Sequence, residues 1–192
     1  MTEAAAVAVR VVIAEDEAII RLDLVEMLAE EGYDVVGETG RGDEAVDLVR
    51  ALDPDLAIFD VKMPGRDGLE AAALVAAEPG CGVIMLTAFS QREMITAAGE
   101  AGVLAYLVKP FQKAELVAAI EVALALDRER RALRGEVRSL TDRLEARKVI
   151  ERAKGRLIEG GMGEQEAFRL LQRRSMDQRT TMQAVAEAIL AE

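Results

Sequence analysis

Five polar residues close or follow short apolar runs in this chain, and their types define a narrow chemistry. Glu15 and Asp16 follow "VRVVIA", Asp60 ends "LAIFD", Thr87 ends "GVIMLT", and Lys109 ends "AYLVK". Three carboxylates offer only hard oxygen ligands, which suit Mg²⁺ with a shell completed by water and phosphate oxygens. A carboxylate can itself attack phosphorus to give an acyl phosphate when a metal and a cation neutralise the crowded negative charge. Lys109 supplies that cation, and Thr87 a hydroxyl for a phosphoryl oxygen. The chain has no histidine, which excludes Ser-His-Asp and Cys-His catalysis, a His-ligated metal and a phosphohistidine on this chain.

For these groups to meet, the runs that carry them must be neighbouring strands. "VRVVIAE" (9–15), "DVVGET" (34–39), "LAIFD" (56–60), "GVIMLT" (82–87) and "AYLVK" (105–109) read as strands, because each is short, apolar and bounded by turn residues. Ala18–Glu30, Asp43–Ala51, Leu69–Ala77 and Arg92–Glu100 carry apolar residues at helical spacing, and a fifth helix starts near Ala114. Five βα units predict an α/β fold, a doubly wound parallel sheet with helices on both faces. Such a sheet gathers the C-terminal ends of its strands in one crevice. "VKPF" (108–111) places an X-Pro turn, often cis, directly after the strand-end lysine. Neutralisation of buried acids alone is a weaker account of Lys109, since four complementary groups at four strand ends are hard to produce by packing.

Charge divides the 192 residues into unlike parts. Residues 1–127 hold 9 Lys and Arg against 24 Asp and Glu, a net −15, whereas residues 128–192 hold 15 against 11, a net +4. The asymmetry predicts two modules with different partners, the basic one suited to nucleic acid. The single cysteine, Cys81, forms no internal disulfide and reads as a packing residue. With no signal peptide and no apolar stretch of membrane-span length, the expected location is the cytoplasm, with no membrane partner.

Beyond Lys113 there is no proline and helix formers dominate. An unbroken helix from Glu115 to Glu159 would be too long for a compact domain and reads as a connecting rod. On it Leu126, Leu133, Val137, Leu140 and Leu144 fall at heptad-like spacing, interrupted by Arg130 and weakened by Gly135, which predicts a short coiled coil. The competing reading packs this helix back on its own sheet domain. Three helices follow: from about Leu144 to Glu159, from Glu164 to Met176 after the break "GGMGE", and from Met182 to Ala191, capped by Thr180 or Thr181. Their apolar positions, among them Ala153, Leu157, Ala167, Leu171, Val185 and Ile189, would close a small bundle.

The ordered set "ED" (15–16), "D…MPGRDG" (60–68), "LTA" (86–88) and "YLVKPF" (106–111) resembles a response-regulator receiver domain. The resemblance implies a flavodoxin-like (βα)5 fold with strand order 2-1-3-4-5 and a Mg²⁺ cofactor. Asp60 would be the phosphoacceptor, and the metal would take Asp16 and Asp60, Glu15 through water and the Lys62 carbonyl. Thr87 and Lys109 would hold the phosphoryl group, with Tyr106 the aromatic switch and Lys62 and Phe89 flanking the pocket. Glu15 departs from the aspartate more common at its place in that family. The partner implied is a sensor histidine kinase. The chain would be no enzyme beyond its own phosphoryl uptake and hydrolysis.

The C-terminal stretch is similar to an ANTAR domain, an RNA-binding output module of transcription antitermination. The features are "AKG" (153–155), the break near Met162, "EAF" (166–168), the 171–174 segment and "VAEAIL". Ser175 stands where that family more often has a small apolar residue. The implied partner is a pair of hairpin loops in nascent RNA. Phe168, the one aromatic beyond residue 111, is expected in the core, so recognition would rest on Lys148, Arg152, Lys154, Arg173, Arg174 and Arg179.

The expected organisation is an N-terminal tail (1–8), a receiver (9–125), a helical linker (126–143) and an ANTAR bundle (144–192). The expected function is a phosphorylation-controlled RNA-binding antiterminator acting through a phosphorylation-dependent homodimer. The alternatives are a DNA-binding transcription factor and a protein-interaction module.

Overall fold

A computed structural model of the protein describes residues 8–78, 80–88, 99 and 101–191. Five strands, β1 (Arg10–Ala14), β2 (Asp34–Thr39), β3 (Leu56–Asp60), β4 (Gly82–Thr87) and β5 (Ala105–Val108), form one sheet in the order β2-β1-β3-β4-β5. Every neighbouring pair is parallel. The expected strand order and direction are those found.

Among the described residues the helices are α1 (Ala18–Glu30), α2 (Gly42–Leu52) and α3 (Gly68–Ala77) between the strands, and α4 (Lys113–Glu159), α5 (Glu164–Asp177) and α6 (Met182–Ala191) after them. The helix expected over Arg92–Glu100 lies outside the described residues, Gly99 apart, as do Phe89 and most of the N-terminal tail.

The sheet is buried on both faces, and the period-two alternation of the strands decides which residue goes where. Val11 and Ile13 of β1, with Leu56 and Ile58 of β3 and Ile84 and Leu86 of β4, pack with Leu24 and Leu28 of α1 and Leu116 and Ile120 of α4. Val12 and Ala14, with Ala57, Phe59, Val83 and Met85, pack on the opposite face with Val46 and Val49 of α2 and Ala71, Ala72 and Val75 of α3. Among the described residues Phe59 is the one aromatic of the fully buried large side chains; β-branched and leucine side chains supply most of the rest. The strand ends are thereby held in a stiff, doubly covered frame.

The chain divides into two compact units, residues 1–131 and 132–192. The helix that would run unbroken from Glu115 to Glu159 does so: one element, α4, also forms the first helix of the C-terminal bundle. Gly135 lies within it; a mid-helix glycine costs only about 1 kcal/mol relative to alanine, which a run of strong helix formers absorbs. Leu126, Leu133, Val137, Leu140 and Leu144 are all exposed.

In the second unit Ala153, Leu171, Val185, Ala186 and Ile189 form a small core, with Val149, Ile150, Leu157 and Met182 at its edge. Gly161, at φ +96°, turns the chain out of α4, where the Met162 amide donates to the Leu157 carbonyl at 3.2 Å. Thr181 caps α6, its Oγ1 accepting from the Ala184 amide at 3.1 Å. Ser175 is buried, its hydroxyl donating to the Gln172 carbonyl at 2.8 Å, so a polar residue fits a core position by bonding its own helix.

Candidate phosphoryl site and candidate nucleic-acid interface

Parallel strands deliver the acidic groups to one edge of the sheet. Glu15 directly follows β1, where its amide still donates to the Thr39 carbonyl of β2 at 3.0 Å. Arg21 of α1 donates to the Glu15 carbonyl at 2.6 Å, fixing the strand end from outside, a contact that spacing alone does not announce. The Glu15 side chain is fully buried, whereas Asp16, one residue on, is exposed. Asp60 is the last residue of β3 and is buried, as is Thr87, the last of β4. Lys109 follows β5, its amide donating to the Thr87 carbonyl at 2.7 Å, and the Lys109–Pro110 bond is cis.

The Lys109 ammonium lies 2.5 Å from Glu15 Oε2 and 2.8 Å from Asp60 Oδ1. Burial pushes the Glu15 carboxyl above its usual range, the Asp60 charge adds to this, and Lys109 pulls the other way. Burial works to lower the Lys109 value, but hydrogen bonding and attraction from Asp60 and Glu15 outweigh it and hold the ammonium charged beyond its ordinary range.

The loop after Asp60 wraps the carboxylate. The Lys62 amide donates to Asp60 Oδ2 at 3.0 Å, and the Gly68 amide to the Val61 carbonyl at 2.9 Å. Gly65 takes φ +84°, and a Cβ on Gly68 would overlap the Asp60 carbonyl oxygen, so this loop needs both glycines where they stand. Asp67 caps α3 by accepting from the Leu69 amide at 2.8 Å.

Ligand oxygens of Glu15, Asp16 and Asp60 all lie within 4.8 Å of one another. Glu15 Oε2 is buried and, apart from the Lys109 ammonium, has no donor among the described residues. An all-carboxylate set with an under-satisfied oxygen fits a hard divalent cation such as Mg²⁺. Tyr106, on β5, is 43 % exposed, with its side chain toward solvent.

The basic candidates of the second unit divide by their contacts. Lys154 is only 13 % exposed and is held by Glu151 at 3.1 Å and Glu164 at 3.2 Å, which ties α4 to the start of α5. Lys148 is exposed and pairs with Glu145 at 2.7 Å. Arg152, Arg173, Arg174 and Arg179 are exposed. Arg179 sits at φ +51° between α5 and α6.

Phe168 is not in the core: it is 46 % exposed. Ala167 and Leu171 take the buried positions of α5, and Phe168, one residue on, is turned about 100° away from Ala167. Arg169, absent from the expected contacts, lies beside it; the helical phase set by Ala167, Leu171 and Ser175 was the signal that locates both.

Among the described residues no helix is long and apolar enough to cross a membrane. The response regulator receiver domain family matches residues 11–121, and the ANTAR domain family matches residues 138–190. The transcriptional regulatory protein PdtaR of Mycobacterium tuberculosis H37Rv is 56% identical over 187 residues, covering 97% of this chain and 91% of that protein. The chemotaxis protein CheY of Thermotoga maritima is 35% identical over 112 residues, 58% of this chain and 93% of that protein. Among solved structures, the signal receiver domain of NarL from Mycobacterium tuberculosis superposes with a TM-score of 0.59 at 32% identity, over 62% of this chain and 97% of that one.

Proposed function

This chain belongs to the response regulators that join a receiver domain to an ANTAR domain, and from that premise we propose that it is a phosphorylation-controlled RNA-binding antiterminator. The observation that carries the receiver half is the Lys109 ammonium set between the buried Glu15 and Asp60 carboxylates at the strand ends.

Asp60 is the phosphoacceptor. An oxygen of its carboxylate attacks the phosphorus of a phosphohistidine on a sensor histidine kinase; the P–N bond breaks, the electron pair returns to the imidazole, and an acyl phosphate forms. The Lys62 amide holds Asp60 Oδ2, leaving Oδ1 on the Lys109 side. Lys109 balances the charge of the transferred phosphoryl oxygens, and the Thr87 hydroxyl receives one of them. Asp16 and Asp60, with the Lys62 carbonyl and Glu15 through water, would hold Mg²⁺, which would supply charge neutralisation. Hydrolysis of the acyl phosphate resets the site, so the chain turns over its own phosphoryl group and no other substrate.

Movement of Thr87 toward the phosphoryl group draws the Tyr106 ring inward and reshapes the face beside β5. That face, or the exposed apolar stripe of α4, then favours a dimer that sets two ANTAR bundles on two hairpin loops of a nascent transcript. Bivalence gives useful affinity to a unit whose net charge is small. All of these partners place the protein in the cytoplasm.

The test is competition binding on the purified full chain with Mg²⁺, with and without a small phosphodonor, between a structured RNA pool and duplex DNA. Salt-sensitive capture of hairpin RNA, strengthened by phosphodonor, supports the proposal. Preference for duplex DNA supports a DNA-binding factor, and salt-insensitive or absent nucleic-acid binding supports a protein-interaction module.

A further inference from the structure

Helix α5 buries Ala167, Leu171 and Ser175, spaced four residues apart along one stripe. Gln165, Arg169, Gln172, Arg173 and Met176 lie on the side away from that stripe by their helical phase, and Phe168 stands at the edge of this exposed face, about 60° around the helix from Leu171. Phe168 is 46 % exposed and Met176 72 % exposed, and burial of a phenyl ring is worth enough that an open ring is an unmet opportunity for contact.

Two adjoining clefts flank this face. One, of about 390 Å³, has Phe168 as a wall and is closed by Lys154, Glu164 and Arg169. The other, of about 710 Å³, shares Gln165 and Arg169 with the first and extends to Arg173. The Lys154–Glu164 ion pair fixes the wall they have in common with α4. Arg169 and Arg173 make no ion pair with any described residue, so their guanidinium groups are available to an anion. Glu166 also borders the larger cleft, but by helical phase it lies beyond Arg173, away from the ring.

The mixture selects the occupant. A protein partner would want a broad apolar surface, yet Phe168 and Met176, with Met162 and Leu170 at the larger cleft, stand separated by arginines, glutamates and glutamine amides. A planar apolar group attached to a chain of phosphates matches that pattern: the ring stacks, the Gln165 amide offers both a donor and an acceptor to a polar edge, and the arginines meet flanking phosphates.

We propose that the α5 face is a base-stacking site, in which an unpaired loop nucleobase of RNA lies against the Phe168 ring with Arg169 and Arg173 on the neighbouring phosphates. This rests on the RNA-binding reading above and adds the residue that grips the base. It replaces recognition by cations and shape alone with recognition of an extruded base.

The chain contains no tryptophan, so Phe168→Trp places a single indole reporter in the cleft of the full-length protein. The probe is a pool of stem-loop RNAs sharing one stem and carrying randomised loops; the control is that stem closed by an abasic linker. Stacking quenches the indole emission with the looped pool and leaves it unchanged with the abasic control. In parallel, Phe168→Leu weakens capture of the looped pool by about ten- to a hundredfold with the salt slope unchanged, whereas Arg169→Gln/Arg173→Gln lowers that slope. Circular dichroism and melting temperature of each variant identify any loss that comes from unfolding. If the wild type captures the pool but Phe168→Leu captures it equally and Phe168→Trp is not quenched, the stacking site is wrong and the RNA-binding reading stands. If the folded wild type captures no stem-loop RNA in either phosphorylation state, both fall together.

Discussion

The Lys109 ammonium and the Glu15 carboxylate, from opposite ends of the receiver sequence, meet at 2.5 Å, and the same ammonium reaches Asp60 at 2.8 Å. Two buried acids so placed repel one another unless a cation stands between them. Lys109 therefore makes the acidic pocket compatible with folding, and under the proposed function the same ammonium would balance a phosphoryl group on Asp60.

Lys109→Met leaves that pocket without its cation. Removing one partner from a buried ion pair costs about 3–5 kcal/mol, and the expected loss lies toward the lower end because Asp16 is exposed and solvent reaches the pocket's mouth. Urea denaturation measures it. Glu15→Gln/Lys109→Met, which also removes one of the buried charges, recovers part of the loss; an additive result for the two single changes would contradict the coupling.

Gly68→Ala forces a methyl group into the Asp60 carbonyl oxygen. A backbone shift of the 61–68 loop follows, with destabilisation of about 1–3 kcal/mol. Because the displaced atom belongs to Asp60, the proposed phosphoacceptor, phosphodonor labelling is expected to fall more than stability does. Retained labelling with reduced stability would mean that the loop relaxes away from Asp60.

Cys81 gives a pH-dependent prediction. Burial chiefly, then the charge of Asp127, pushes its thiol from 9.0 up to about 12. A folded-state value raised above the unfolded one contributes stability that is complete below about pH 9 and is lost as pH climbs toward 12. Wild type should lose stability over that window more steeply than Cys81→Ala. Native protein at pH 8 should alkylate slowly with iodoacetamide and rapidly in denaturant; equal rates would show an open thiol.

Arg179 occupies a left-handed backbone position, φ +51°, that glycine adopts without strain. An L side chain there costs about 1–2 kcal/mol, partly offset in a glycine variant by its greater unfolded-state entropy. Arg179→Gly is thus expected to melt at or above the wild-type temperature while losing affinity for hairpin RNA, with the salt slope smaller by about one. Unchanged RNA affinity would reduce Arg179 to a turn residue.

The receiver was legible because its sheet is buried on both faces. "LAIFD" and "GVIMLT" are short apolar runs with a polar last residue, and parallel pairing brings those last residues together. Phe168 was misjudged because an aromatic near "EAF" looks like core material until the phase of Ala167, Leu171 and Ser175 is set by the neighbouring helices. Long-range contacts such as Arg131 with the Gly80 carbonyl, or Arg130 with the Gly102 carbonyl, depend on where the end of the first unit meets the sheet. No local spacing encodes that.

If phosphorylation of Asp60 controls RNA binding, wild type and Asp60→Asn must differ in their affinity for hairpin RNA, measured with Mg²⁺ before and after phosphodonor. Phosphodonor is expected to tighten binding by wild type and to leave Asp60→Asn at its basal affinity. Equal responses of the two proteins, or no response by a wild type shown to be phosphorylated, would contradict it.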